Sequence, residues 1–188
     1  MRAEPNRIAA VAGIVAMVFN WTGAMFVSEI AEAYQPGLVD RWYFTALEHE
    51  SSVSWGAWCL TLAVMLLVPW AVGMARTIGP YSWPGAAMVA MGAMLNATAS
   101  LLPFVVVTHV PHGQAALGET LLGMTLTMDA VFYLVFGVGL VLLNVSMARA
   151  VQFPMWLSGW GLMAGVVCIG GVGSAWSPAA ASFTWMPV

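Results

Sequence analysis

Five apolar runs, each about twenty residues or longer, divide this chain, and they dictate its solvent before any other feature is considered. A stretch of that length spans the roughly 30 Å hydrocarbon core of a bilayer when wound as an α-helix at about 1.5 Å per residue. The runs are Arg7 to Ile30, Val53 to Ala75, Pro84 to Val107, Glu119 to Ala148 and Met155 to Trp176. They lack the two-residue alternation of a barrel strand, and an open sheet would leave unpaired backbone groups in hydrocarbon, so helix is predicted for each. Charged residues make up 7% of the 188 residues, against roughly a quarter in soluble domains, which is too few to coat a water-exposed surface. The expectation is an all-α, polytopic bundle of five transmembrane helices forming a single domain, residues 1–188.

Orientation follows from the few cations. Arg2, Arg7, Arg76 and Arg149 fall at the N-terminus and beside the second and fourth connections, while Arg41 alone falls on the other side. The positive-inside rule then predicts a multi-pass protein with a cytoplasmic N-terminus and an external C-terminus. Arg2 and Arg7 ahead of an apolar stretch, with Ala31-Glu32-Ala33 beyond it, resemble a signal peptide, but the run is read as a retained first span. Trp42, Trp55, Trp83, Trp156 and Trp176 lie near span ends, as expected of an aromatic belt.

The first outer connection, Ala31 to Ser52, carries a pattern of its own. Pro36-Gly37 supplies a turn, and Leu38, Trp42 and Leu47, with Tyr43 and Phe44, give a short interfacial helix one apolar side to rest on the membrane or the bundle. A lid over a substrate is the alternative. Gly79-Pro80 and Pro84 make a tight turn and start the third span, since proline lacks the N–H that the first helical position cannot use. Pro69 and Pro103 lie within spans and each removes a backbone hydrogen bond. Gly161 and Gly165 are four apart on the fifth span, so they let another helix approach closely, whether from this chain or a partner.

Chemistry-bearing side chains fall into two groups. The fourth span stacks Thr125, Asp129, Tyr133, Phe136, Leu140 and Asn144 at intervals of three and four, which places them on one face. The first span offers Gly13, Met17, Asn20, Ala24 and Ser28 likewise, and the third offers Gly92, Asn96 and Ser100. Asn20, Asn96 and Asp129 then share one depth near mid-membrane, where a carboxylate marks something other than lipid solubility. A hydrogen-bonded clasp, a pocket for the polar head of a lipid, quinone or pigment, and a proton path all fit. The candidate ligand-binding residues are Asn20, Asn96, Thr125, Asp129 and Tyr133. The second group, His49, His109, His112 and Glu119 at the outer ends of spans, has the donor types of a divalent metal site, though no His-Glu-x-x-His motif accompanies it. Solvated interfacial residues are the simpler reading of it.

Several chemistries find no residues. There is no Lys for a retinal Schiff base. No pair of His sits at matched depth for haem, and no nucleophile elbow, phosphate loop or Cys-x-x-Cys pair occurs. Cys59 and Cys168 fall inside spans and read as small buried residues. A net charge of −3 gives nucleic acid no basic surface to meet.

The stretch Met128–Gly139, MDAVFYLVFGVG, running on to Phe153–Leu162, FPMWLSGWGL, resembles an uncharacterised bacterial family of small multi-helix integral membrane proteins, and the opening Asn6-Arg7-Ile8-Ala9 is similar too. The resemblance implies an inner-membrane protein with Asp129 in the similar stretch, and it supplies no catalytic residues. The functional expectation is a non-enzymatic membrane subunit, accessory to a respiratory or photosynthetic complex. It would meet lipid and other membrane subunits through the Gly161/Gly165 face and the C-terminal tail. An outer-face metal- or quinone-binding enzyme and a proton-coupled transporter using Asp129 are the alternatives.

Overall fold

A computed structural model describes residues 7–31, 39–110, 114–150 and 153–172. Among them the chain is all-helical: α1 Arg7–Ala31, α2 Val39–Glu48, α3 Glu50–Ile78, a single 3₁₀ turn Pro80–Ser82, α4 Trp83–His109, α5 Ala115–Ala148 and α6 Met155–Gly171. Four stretches are long and apolar enough to cross a membrane: Arg7–Val27, Glu50–Ile78, Pro80–His109 and Ala115–Ala148. The fifth predicted span appears as the 17-residue apolar helix α6, about 25 Å long; its expected continuation to Trp176 lies outside the described residues. The other helices overrun their predicted ends, because polar residues such as Glu50 and Arg76 continue a helix once it has left the apolar run.

Hydroxyls inside the spans are satisfied by their own helices. Thr61 donates to the carbonyl of Ala57 at 2.7 Å, Thr77 to Gly73 at 2.9 Å and Thr98 to Met94 at 3.1 Å, which lets them sit among apolar neighbours without a second helix. The α3–α4 turn is fastened by Ser82, whose hydroxyl reaches the carbonyls of Ala75 at 3.1 Å and Gly79 at 2.6 Å. Gly79 has φ +119°, a conformation that side-chain-bearing residues rarely adopt. Pro69 and Pro103 sit within helices that continue through them.

Each long helix packs antiparallel on its predecessor: α1 on α3, α3 on α4, α4 on α5 and α5 on α6. Small residues make these seams tight. A Cβ on Gly139 would stand 2.7 Å from the Val89 nitrogen, and one on Gly137 would stand 2.8 Å from the Gly165 carbonyl oxygen. Of the two neighbours expected for Gly161 and Gly165, a helix of this chain or of a partner, the first is present. Gly165 meets Gly137 and Val141, and Gly161 carries the Asn144 amide directly against it, so α5 of the same chain occupies that face.

The long helices form a row in the order α1, α3, α4, α5 and α6, with two apolar clusters along it. At one end, α2 inserts Trp42, Tyr43 and Ala46 against Val53, Val106, Val107, Val110 and Leu122, with Val27 of α1 alongside. Trp42 is only 3% exposed, so it belongs to this plug and not to the aromatic belt, where Trp55, Trp83 and Trp156 remain exposed. Leu38, expected on the same apolar side, lies outside the described residues. Toward the other end, Ala71, Ala75, Ala86, Val89, Leu140 and Leu143 form a second cluster, joined by Trp70 and Phe136 and by Ala164 and Cys168 of α6. Arg7, Arg76 and Arg149 share that second end, opposite His49, His109 and Glu119.

Candidate functional site

Between the two clusters the interior is lined by polar side chains. Asn96 of α4 and Asp129 of α5 face each other across a seam that Gly92 brings close, since a Cβ there would meet Phe136 at 2.9 Å. The Ser100 hydroxyl donates to Asn96 Oδ1 at 3.1 Å, and Asn96 Nδ2 donates to Asp129 Oδ1 at 3.5 Å, a long bond. The chain of donors ends on the carboxyl group. Tyr133, one turn further along α5, is half-buried and stacks obliquely on Phe132, with ring centroids 5.1 Å apart.

Asn20 approaches the same level from α1. It lies about 20 Å along its helix from Arg7, as Asn96 lies about 20 Å from Trp83 at the same end of the row. Its neighbours one heptad away fix its direction. Gly13 abuts Trp70 of the second cluster, and Val27 packs against the plug. The stripe Gly13–Asn20–Val27 therefore runs along the side of α1 that packs on α3, where Gly13 meets Trp70 and Val27 meets Gly56, because residues seven apart differ by only about 20° around a helix.

Asn20 nevertheless makes no contact with the other two. Among the described residues no Cα of α1 comes within 8 Å of α4, α5 or α6, and α6 approaches α5 alone. Asn20 is exposed. Of Asn20, Asn96 and Asp129, only the last two are joined by a hydrogen bond.

The remaining candidates separate. Thr125 is buried and donates to the carbonyl of Leu121 at 3.3 Å within its own helix. Asn144, on the same predicted stripe, donates to the carbonyl of Leu140 at 2.9 Å and packs on Gly161. His49 terminates α2, with its backbone N–H on the carbonyl of Thr45 at 3.2 Å. His109 is exposed at the end of α4 beside the Thr108 hydroxyl, its ring edge-on to Phe104. Glu119 is half-buried near the start of α5, and His112 lies outside the described residues. Among the described residues no three His, Cys, Asp or Glu side chains gather closely enough to hold a metal. A shallow cleft of about 110 Å³ lies at the arginine end, bordered by Ile78, Tyr81, Ser146 and Arg149.

The apolar side of the short helix was readable in Trp42, Tyr43 and Leu47, but not the surface that covers it. Tyr43 is 1% exposed, and its ring covers Gly118 of α5 so closely that a Cβ there would overlap it. No protein-family model, curated protein or solved structure matches this chain, so the likeness of its Met128–Gly139 stretch to an uncharacterised membrane family gains no support.

Proposed function

We propose that this protein is a non-enzymatic, five-span subunit of a bacterial inner membrane. It packs beside other membrane proteins and holds the polar head of a lipid-soluble molecule in its interior. The observation that supports this reading is the polar series Ser100, Asn96 and Asp129, which hydrogen bonds join across the α4–α5 seam near the middle of both helices. Polar groups at mid-membrane are costly unless something satisfies them, and a head group or a neighbouring helix supplies that.

The N-terminus lies in the cytoplasm in this reading, with Arg7, Arg76 and Arg149 at the cytoplasmic boundary and α2 at the outer one. The exposed side of α6, with Trp156, Trp160, Met163 and Val167, meets lipid or a partner subunit. The test is native mass spectrometry of protein extracted in lipid nanodiscs. Stoichiometric co-purification of another membrane subunit or a small amphiphile is expected. A monodisperse single chain with nothing attached would overturn the proposal.

A further inference from the structure

We infer that the cleft at the arginine end binds the phosphate group of an anionic phospholipid, with Arg149 as its charged ligand and Tyr81 and Ser146 at its rim. The inference is independent of what the polar series between α4 and α5 holds.

The cleft is built where three elements end. Ile78 closes α3, Tyr81 belongs to the 3₁₀ turn, and Ser146, Arg149 and Ala150 form the last turn of α5 and its exit. Its walls are tied together, because the Ser146 hydroxyl reaches the carbonyls of Tyr81 at 3.1 Å and Leu142 at 3.0 Å and so holds the turn against α5. A volume of about 110 Å³ holds several waters, which is room for a phosphate group and its ester oxygens but not for acyl chains.

Charge selects an anion. Carbonyls at the end of α5 are served by the backbone, since the Arg149 N–H donates to Ser146 at 3.3 Å and that of Ala150 to Met147 at 3.0 Å. The guanidinium meets no acidic side chain among the described residues. Glu48, Glu50 and Glu119 lie at the opposite end, and Asp129 lies about 30 Å back along α5. A guanidinium presents its donors in a planar fork that fits phosphate oxygens, and Arg7 and Arg76 at the same end add to the attraction for an anion.

Position selects a lipid. Glu50–Ile78, Pro80–His109 and Ala115–Ala148 are each long and apolar enough to cross a membrane, and the cleft lies at the end all three share, the depth of headgroups. Exposed Trp83 and Trp156, at the starts of α4 and α6, mark the same boundary. Leu142, one turn inward from Ser146, and Leu134, two turns further, are exposed and give an acyl chain an apolar track along α5.

The test is native mass spectrometry of the full chain in detergent, stripped of lipid and titrated with dioleoylphosphatidylglycerol or dioleoylphosphatidylcholine. The first phosphatidylglycerol should bind more tightly than the first phosphatidylcholine, whose quaternary ammonium the guanidinium repels. Arg149→Gln should erase that preference and weaken the first phosphatidylglycerol about tenfold. Arg149→Lys, which keeps the charge and loses the fork, should retain part of it. Arg7→Gln, at the start of α1, should leave it unchanged.

Equal affinity for the two lipids, an unchanged first adduct in Arg149→Gln, or an equal loss in Arg7→Gln overturns the inference. Displacement of the first phosphatidylglycerol by equimolar inorganic phosphate would assign the cleft to soluble phosphates and overturn the lipid source.

Discussion

Replacing Gly139 by alanine adds one methyl group where the α4 and α5 backbones are in close contact. The new Cβ would stand 2.7 Å from the Val89 nitrogen, 3.0 Å from the Gly85 carbonyl oxygen and 3.0 Å from Met88 Cβ. These separations are roughly 0.5–1 Å inside ordinary contact. Two of the three neighbours are backbone atoms, so no rotamer change relieves the overlap and the helices must part. A gap of that size forfeits about a quarter to a half of the dispersion energy of each flanking atom pair. Overpacking of this kind costs about 1–3 kcal/mol, offset by about 0.5–1 kcal/mol from the better helix propensity of alanine.

Gly159→Ala is the control, because nothing lies within 4 Å of a Cβ at that position. It should be neutral or stabilising by up to about 1 kcal/mol. Unfolding titrations in a mild detergent, followed by circular dichroism, should therefore separate the two variants by about 1–3 kcal/mol. Equal stability would refute the claim that the α4–α5 seam is set by backbone contact. Because Asn96 and Asp129 bridge the same seam at 3.5 Å, Gly139→Ala should also break that hydrogen bond.

Two further outcomes follow from the plug and the orientation. The Tyr43 hydroxyl is buried with no hydrogen-bond partner among the described residues. Tyr43→Phe should therefore hold or raise stability by up to about 1 kcal/mol, whereas Tyr43→Ala should cost about 3–5 kcal/mol in the same titration. For orientation, Arg149→Cys in intact cells should resist a membrane-impermeant maleimide and Phe44→Cys should react, both positions being exposed. The reverse pattern would invert the proposed topology.

The helices were legible in sequence because the bilayer demands long apolar runs and tolerates little else. Asn96 and Asp129 could be paired in advance for the same reason, since depth along a span is readable from residue count. The lateral separation of Asn20 from that pair was not readable. Whether two polar stripes meet depends on which helices pack side by side, and α3 stands between α1 and the α4–α5 seam. The partner of the Gly161/Gly165 pair was hidden similarly, because small residues four apart permit a close neighbour without naming it. Trp42 read as a boundary residue because a short amphipathic helix shows its apolar side without showing whether lipid or protein covers it.

Every long helix here leans on the one made just before it, so the membrane-embedded row can assemble in step with synthesis. The short helix that carries Tyr43 is the exception, for its chief support arrives with Gly118 and Leu122, about 80 residues later. At roughly 5–20 residues per second, a ribosome takes several seconds to deliver them. During that interval two large aromatic rings stand uncovered at the mouth of a half-built protein. Newly made chains therefore pass through a brief stage in which the mouth is open, and the arrival of the fifth helix ends it.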